Sequence, residues 1–72
     1  MKEEKYMIAF DIPAEENSFK KKINQILKKS GAEMVQRSIW ASENLELFLR
    51  LAVLIKNVGG KANVFEAKVI FS

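Results

Sequence analysis

Between Leu45 and Val58 the only polar residues are Glu46, Arg50, Lys56 and Asn57. The stretch is too long for a buried strand and reads as a helix that is apolar around most of its circumference. Such a helix has to be covered on more than one side, and a chain of 72 residues has little material to do it with. Cysteine and histidine are both absent. Disulfides are therefore excluded, as are ordinary zinc sites, Ser-His and Cys-His nucleophilic pairs and any imidazole base. A small domain without such staples depends on its core and on partners. The length allows one domain, residues 1–72, and an oligomer is one way to cover the apolar helix.

Punctuation is sparse: Pro13, Gly31 and the pair Gly59-Gly60. From Lys5 to Ile12 the residues Tyr6, Ile8, Phe10 and Ile12 alternate with Met7, Ala9 and Asp11, which predicts a strand with two distinct faces. Pro13 suits a helix start, and Glu15 and Glu16 favour the positive end of a helix dipole. Phe19, Ile23, Ile26 and Leu27 then form one helical stripe, and Gly31 is the expected left-handed cap. Ala32–Ser42 reads as extended, either one long strand or two short ones bent near Gln36-Arg37. Ser42 is the expected cap of the apolar helix. Gly59-Gly60 ends that helix, and Ala62–Phe71 alternates as a last strand. With two strands in the middle the order is βαββαβ, an α+β antiparallel sheet with both helices on one face, the ferredoxin-like plait.

The net charge of +3 leans towards an anionic partner, RNA or DNA first. Asp11 is the one aspartate of the chain and closes the first strand on the face opposite Ile8 and Phe10. It either caps the following turn or serves as a functional carboxylate on an uncovered sheet face. In a twofold dimer two copies of Asp11 share one axis, an arrangement that can hold Mg²⁺ or Mn²⁺. Glu15 and Glu16 are candidate helpers, though their place at a helix start already accounts for them. The cluster Lys20, Lys21, Lys22, Lys28 and Lys29 is either a solvated helix face or a track for phosphates. Arg37 and Ser38 stand at the suspected bend, either as ordinary turn residues or as a bidentate cation and a hydroxyl donor for a phosphate. Trp40 is a core or interface aromatic, or else a platform for a base.

Phe-Asp-Ile-Pro at Phe10–Pro13, Leu-Lys-Lys-Ser-Gly at Leu27–Gly31 and Val-Gln-Arg-Ser-Ile-Trp at Val35–Trp40 together resemble the CRISPR-associated Cas-two family. That family's pattern is a strand ending Tyr-Asp-Ile, a helix closing Leu-Lys-Lys-Tyr-Gly and a strand with Val-Gln-x-Ser-Val-Phe. The likeness runs over residues 5 to 55. It implies a ferredoxin-like homodimer of the CRISPR adaptation machinery, with metal-dependent endonuclease activity on single-stranded RNA or double-stranded DNA. It also implies a metal ligand at Asp11 from each subunit, and a Cas-one integrase as a partner. Phe10 stands where the family has Tyr, Met34 where arginine is common, and Ser18 and Lys20 where the first helix often carries arginines. Arg37 and Ser38 are retained, and Trp40 replaces the usual Phe. The chain ends directly after the last predicted strand, where the family continues into a segment that pairs with the partner's sheet. The virulence-associated protein D toxins, ribonucleases that resemble the same fold, have a similar Ala-Phe-Asp followed by Gln-x-Ser.

A ferredoxin-like dimer domain of regulatory or unknown role is the reading that the resemblance disfavours, and two functions remain. One is a metal-dependent endonuclease with Asp11 as catalytic metal ligand and Lys20, Arg37 and Ser38 on the nucleic acid. The other is a non-catalytic binding or scaffold module with the same fold and charge. The start Met-Lys-Glu-Glu-Lys is not followed by an isolated apolar segment, which leads to the expectation of a cytoplasmic protein away from membranes.

Overall fold

A computed structural model of the chain describes residues 5–67. The first strand, β1, covers Lys5–Asp11. A single 3-10 turn at Ala14–Glu16 leads into helix α1, Asn17–Lys29. The extended middle stretch resolves into two strands, β2 at Glu33–Gln36 and β3 at Ile39–Ser42, with Arg37 and Ser38 in the turn between them. Helix α2 spans Leu45–Asn57, and β4 spans Lys61–Ala67. Lys68–Phe71 of the expected last strand lie outside the described residues.

The sheet order is β2-β3-β1-β4, with every neighbouring pair antiparallel. Strands β1 and β2 therefore run parallel with β3 between them, and α1 is the crossover that joins them. In the same way α2 joins β3 to β4 across β1. This is the arrangement of a ferredoxin-like plait.

Pleating sorts the residues as the alternation predicts. Ile8, Phe10 and Trp40 are buried from the sheet, Ile23 and Leu27 from α1, and Phe48, Leu51 and Ile55 from α2. Since the sheet residues all come from one face, both helices lie on that face. Directly paired residues share a face, and Ile8 pairs with both Trp40 and Val64 at the centre of the core. The opposite face carries the row Ala41, Met7, Phe65 across three strands, followed by Ile39, Ala9, Asn63. No element covers that face among the described residues.

Several local expectations change. The cap of α2 is Asn44, whose Oδ1 accepts from the Leu47 amide at 3.1 Å. Ser42 instead accepts from the Asn44 amide at 3.0 Å, shaping the chain just before the helix. Pro13 precedes a 3-10 turn rather than opening α1, and neither has a side-chain cap, so Asp11 caps nothing there. Ile26 lies at the rim of the core and is partly exposed. Among the described residues the apolar helix buries only one side: Leu49 and Val53 remain 51% and 60% exposed. Gly31 does adopt the left-handed conformation, φ 86°, that ends α1.

Candidate functional site

The pleat and the crossover bring separate parts of the sequence to one place. Lys20 and Asn24, one turn apart on α1, face Met34 of β2, the turn residues Arg37 and Ser38, and Trp40 of β3. Together they line a pocket of about 450 Å³. Lys20, Arg37 and Ser38, singled out from two separate features of the sequence, meet here. The other lysines of the cluster do not line it.

The pocket is electropositive by construction. Two cations line it and no carboxylate does. Among the described residues neither Lys20 nor Arg37 forms an ion pair; the pair found there is Arg50–Glu46, at 3.0 Å on the exposed side of α2. Their charges are aimed at solvent or at a ligand, and an anion in the pocket gains charge-assisted hydrogen bonds from both.

The turn that supplies Arg37 and Ser38 is strained. Ser38 has φ 64° and is the one non-glycine residue in the left-handed region among the described residues. A side chain there costs about 1–2 kcal/mol. The turn is held by the Phe10 amide, which donates to the Ser38 carbonyl at 3.0 Å. A bulge between Met34 and Gln36 in the β2–β3 pairing adjoins it. Trp40, 2% exposed, forms the floor and is a core side chain, so it offers no open face for a base to stack on. Its indole Nε1 is buried and has no hydrogen-bond partner among the described residues. An unmet buried donor of this kind costs about 1–3 kcal/mol.

Asp11 lies elsewhere. It is exposed at the end of β1 on the uncovered sheet face and pairs in register with Lys61 of β4. A shallow depression of about 270 Å³ there is lined by Ala9, Phe10, Asp11, Lys61 and Asn63. Glu15 and Glu16 do not line it. Among the described residues no three acidic side chains gather as a metal-binding group. Asp11 is thus a single carboxylate beside a lysine, and among the described residues it offers Mg²⁺ or Mn²⁺ one protein ligand there. Its backbone is closely held. A Cβ on Gly60 would stand 2.6 Å from the Asp11 carbonyl and 2.7 Å from Ile55 Cγ2, so only glycine lets the end of α2 pack against the end of β1.

Asn24 and Lys61 are the functional-site residues that the sequence did not single out. Asn24 has a faint signal, its i+4 spacing from Lys20. Lys61 has none, because cross-strand register is invisible before the sheet is formed.

Comparisons with family models, curated proteins and solved structures find no match to this chain. No helix among the described residues is long and apolar enough to cross a membrane.

Proposed function

We propose that this protein binds nucleic acid, RNA or DNA, through a phosphate held in the pocket of Lys20, Arg37 and Ser38. The observation that supports this reading is the convergence of those three residues, from α1 and the β2–β3 turn, in one pocket with no carboxylate in its lining. Lysine supplies a point charge, arginine a planar two-pronged donor and serine a hydroxyl, the usual equipment for a phosphate oxygen. The remaining exposed lysines of α1 add sequence-independent attraction. The likeness to the Cas-two family rests on the motifs at Asp11, Leu27–Gly31 and Val35–Trp40, and it favours the same ligand class.

The second reading is a Cas-two-like metal-dependent endonuclease. The exposed position of Asp11, at a strand end on an uncovered apolar sheet face, favours it. A homodimer formed through the row Ala41, Met7, Phe65 would place two copies of Asp11 at one interface. Mg²⁺ or Mn²⁺ there would be held by the paired carboxylates and by substrate phosphates, and would polarise the phosphodiester. A Cas-one integrase is a candidate partner on the same family likeness, as is a role resembling the virulence-associated protein D ribonucleases.

Both readings are tested with labelled single-stranded RNA and double-stranded DNA, with Mg²⁺, Mn²⁺ or chelator. Wild type is run beside Asp11→Asn and a Lys20→Ala/Arg37→Ala double variant, each checked for fold and mass. Binding lost in the double variant and kept in Asp11→Asn supports the pocket. Metal-dependent cleavage lost in Asp11→Asn supports the nuclease. Binding that survives the double variant unchanged overturns the pocket as the nucleic-acid site.

A further inference from the structure

The lining of the Lys20–Arg37 pocket specifies more than a charge. We infer that it receives one unpaired nucleotide, so that the protein takes single-stranded nucleic acid in preference to duplex. The inference rests on the phosphate contact proposed above.

A duplex backbone is gripped by cations on an open surface, without any cavity. This site is instead concave, and its volume of about 450 Å³ falls within the range of small-molecule sites, roughly 300–1,000 Å³. Its walls are mixed in the way a nucleotide is mixed. Lys20 and Arg37 take the phosphate. Met34, 51% exposed, offers a polarisable apolar surface to a base. The guanidinium plane of Arg37 offers a second surface for stacking. Asn24 presents an amide with both donors and an acceptor, the pattern that pairs with a base edge. A base inside a duplex has its edge paired and its faces stacked, and it must be extruded to enter such a pocket. An unpaired base enters without that cost.

One unfavourable feature lies on the wall of this cavity, the left-handed Ser38. It is a cost that the free chain bears at this place. The sheet does not require it, since glycine would serve the turn. Its coincidence with the two cations and the amide is the kind of backbone strain that collects at binding sites.

The test compares binding of short single-stranded oligonucleotides, the same sequences annealed as duplex, and free mononucleotides as competitors. Fluorescence anisotropy at low salt serves for wild type, Asn24→Ala and Lys20→Ala, with circular dichroism confirming the fold of each. Single strands are expected to bind about tenfold or more tightly than duplex. Asn24→Ala should weaken single-strand binding several-fold and leave duplex binding unmoved, whereas Lys20→Ala should weaken both. Displacement by a mononucleotide assigns the free nucleotide as a sufficient occupant, and displacement by strands alone assigns the nucleotide within a strand; either supports the inference. Equal affinity for duplex and single strand, with Asn24→Ala silent and Lys20→Ala weakening both, overturns the inference and leaves the phosphate contact standing. Failure of every nucleic acid to bind at low salt overturns both.

Discussion

Replacing Ser38 by glycine should stabilise the protein while weakening its hold on a ligand. Ser38 has φ 64°, close to the ideal left-handed helical value, where a side chain costs about 1–2 kcal/mol. Glycine removes that cost. It also loosens the unfolded chain, which takes back about 0.4–1 kcal/mol. The difference leaves about 0.5–1 kcal/mol in favour of the variant, enough to raise Tm by roughly 2–8 °C in a domain of this size. Trp40 reports the transition, being the single tryptophan and 2% exposed in the folded state. Ser38→Ala is the informative control. It loses the same hydroxyl but keeps a Cβ in the left-handed region, so it should gain no stability. Both variants should bind nucleic acid more weakly than wild type, because binding follows the hydroxyl and stability follows the Cβ. A Ser38→Ala protein as stable as Ser38→Gly, or more so, would refute the claim that the turn is strained.

Four further outcomes follow. Phe48→Ala opens the centre of the core and should cost about 3–5 kcal/mol, as much as a chain of this size is expected to have, so circular dichroism should show it largely unfolded at 25 °C. Gly60→Ala should lower the urea midpoint, because its Cβ would stand 2.6 Å from the Asp11 carbonyl; an unchanged midpoint would contradict the close packing of α2 on β1. Lys20→Ala should reduce the salt dependence of single-strand binding by roughly 0.7 in the slope of log K against log salt, and an unaltered slope would remove Lys20 from the phosphate contact. Phe65→Lys places a charge in the open sheet row and should shift sedimentation towards monomer if the homodimer forms there; a dimer that survives it lies elsewhere, the apolar Leu49 and Val53 face of α2 being one further exposed surface.

The parts of the fold that were legible in the sequence are those governed by local pattern. The alternation Tyr6, Ile8, Phe10 announces β1 and its two faces, and the i+4, i+7, i+8 spacing after Phe19 announces α1. Whether Ala32–Ser42 is one strand or two was not legible, because the break is made by a left-handed serine. Serine gives no signal there, where glycine or asparagine would have given one. The cap of α2 was misplaced for a similar reason. Ser42 and Asn44 are both good cap residues two positions apart, and the choice depends on where the β3 ladder ends. In the candidate site, Lys20, Arg37 and Ser38 stood out by residue type. Their meeting in one pocket depends on the α1 crossover and on the β2–β3 turn, which are tertiary facts. The separation of Asp11 from that pocket is tertiary as well, set by the pleat of β1 and its register against Lys61.

The most direct test of the phosphate pocket is to follow backbone amide signals by nuclear magnetic resonance while a short single-stranded oligonucleotide is titrated into the protein. The indole N–H of Trp40 is followed in the same spectra. The account predicts that the shifts concentrate at residues 20–24 and 36–38 and at the Trp40 indole, with the signals of Asp11, Lys61 and Phe65 moving little. Shifts centred on Asp11, Lys61 and Phe65, with the pocket signals stationary, would contradict it and move the nucleic-acid site to the open face of the sheet.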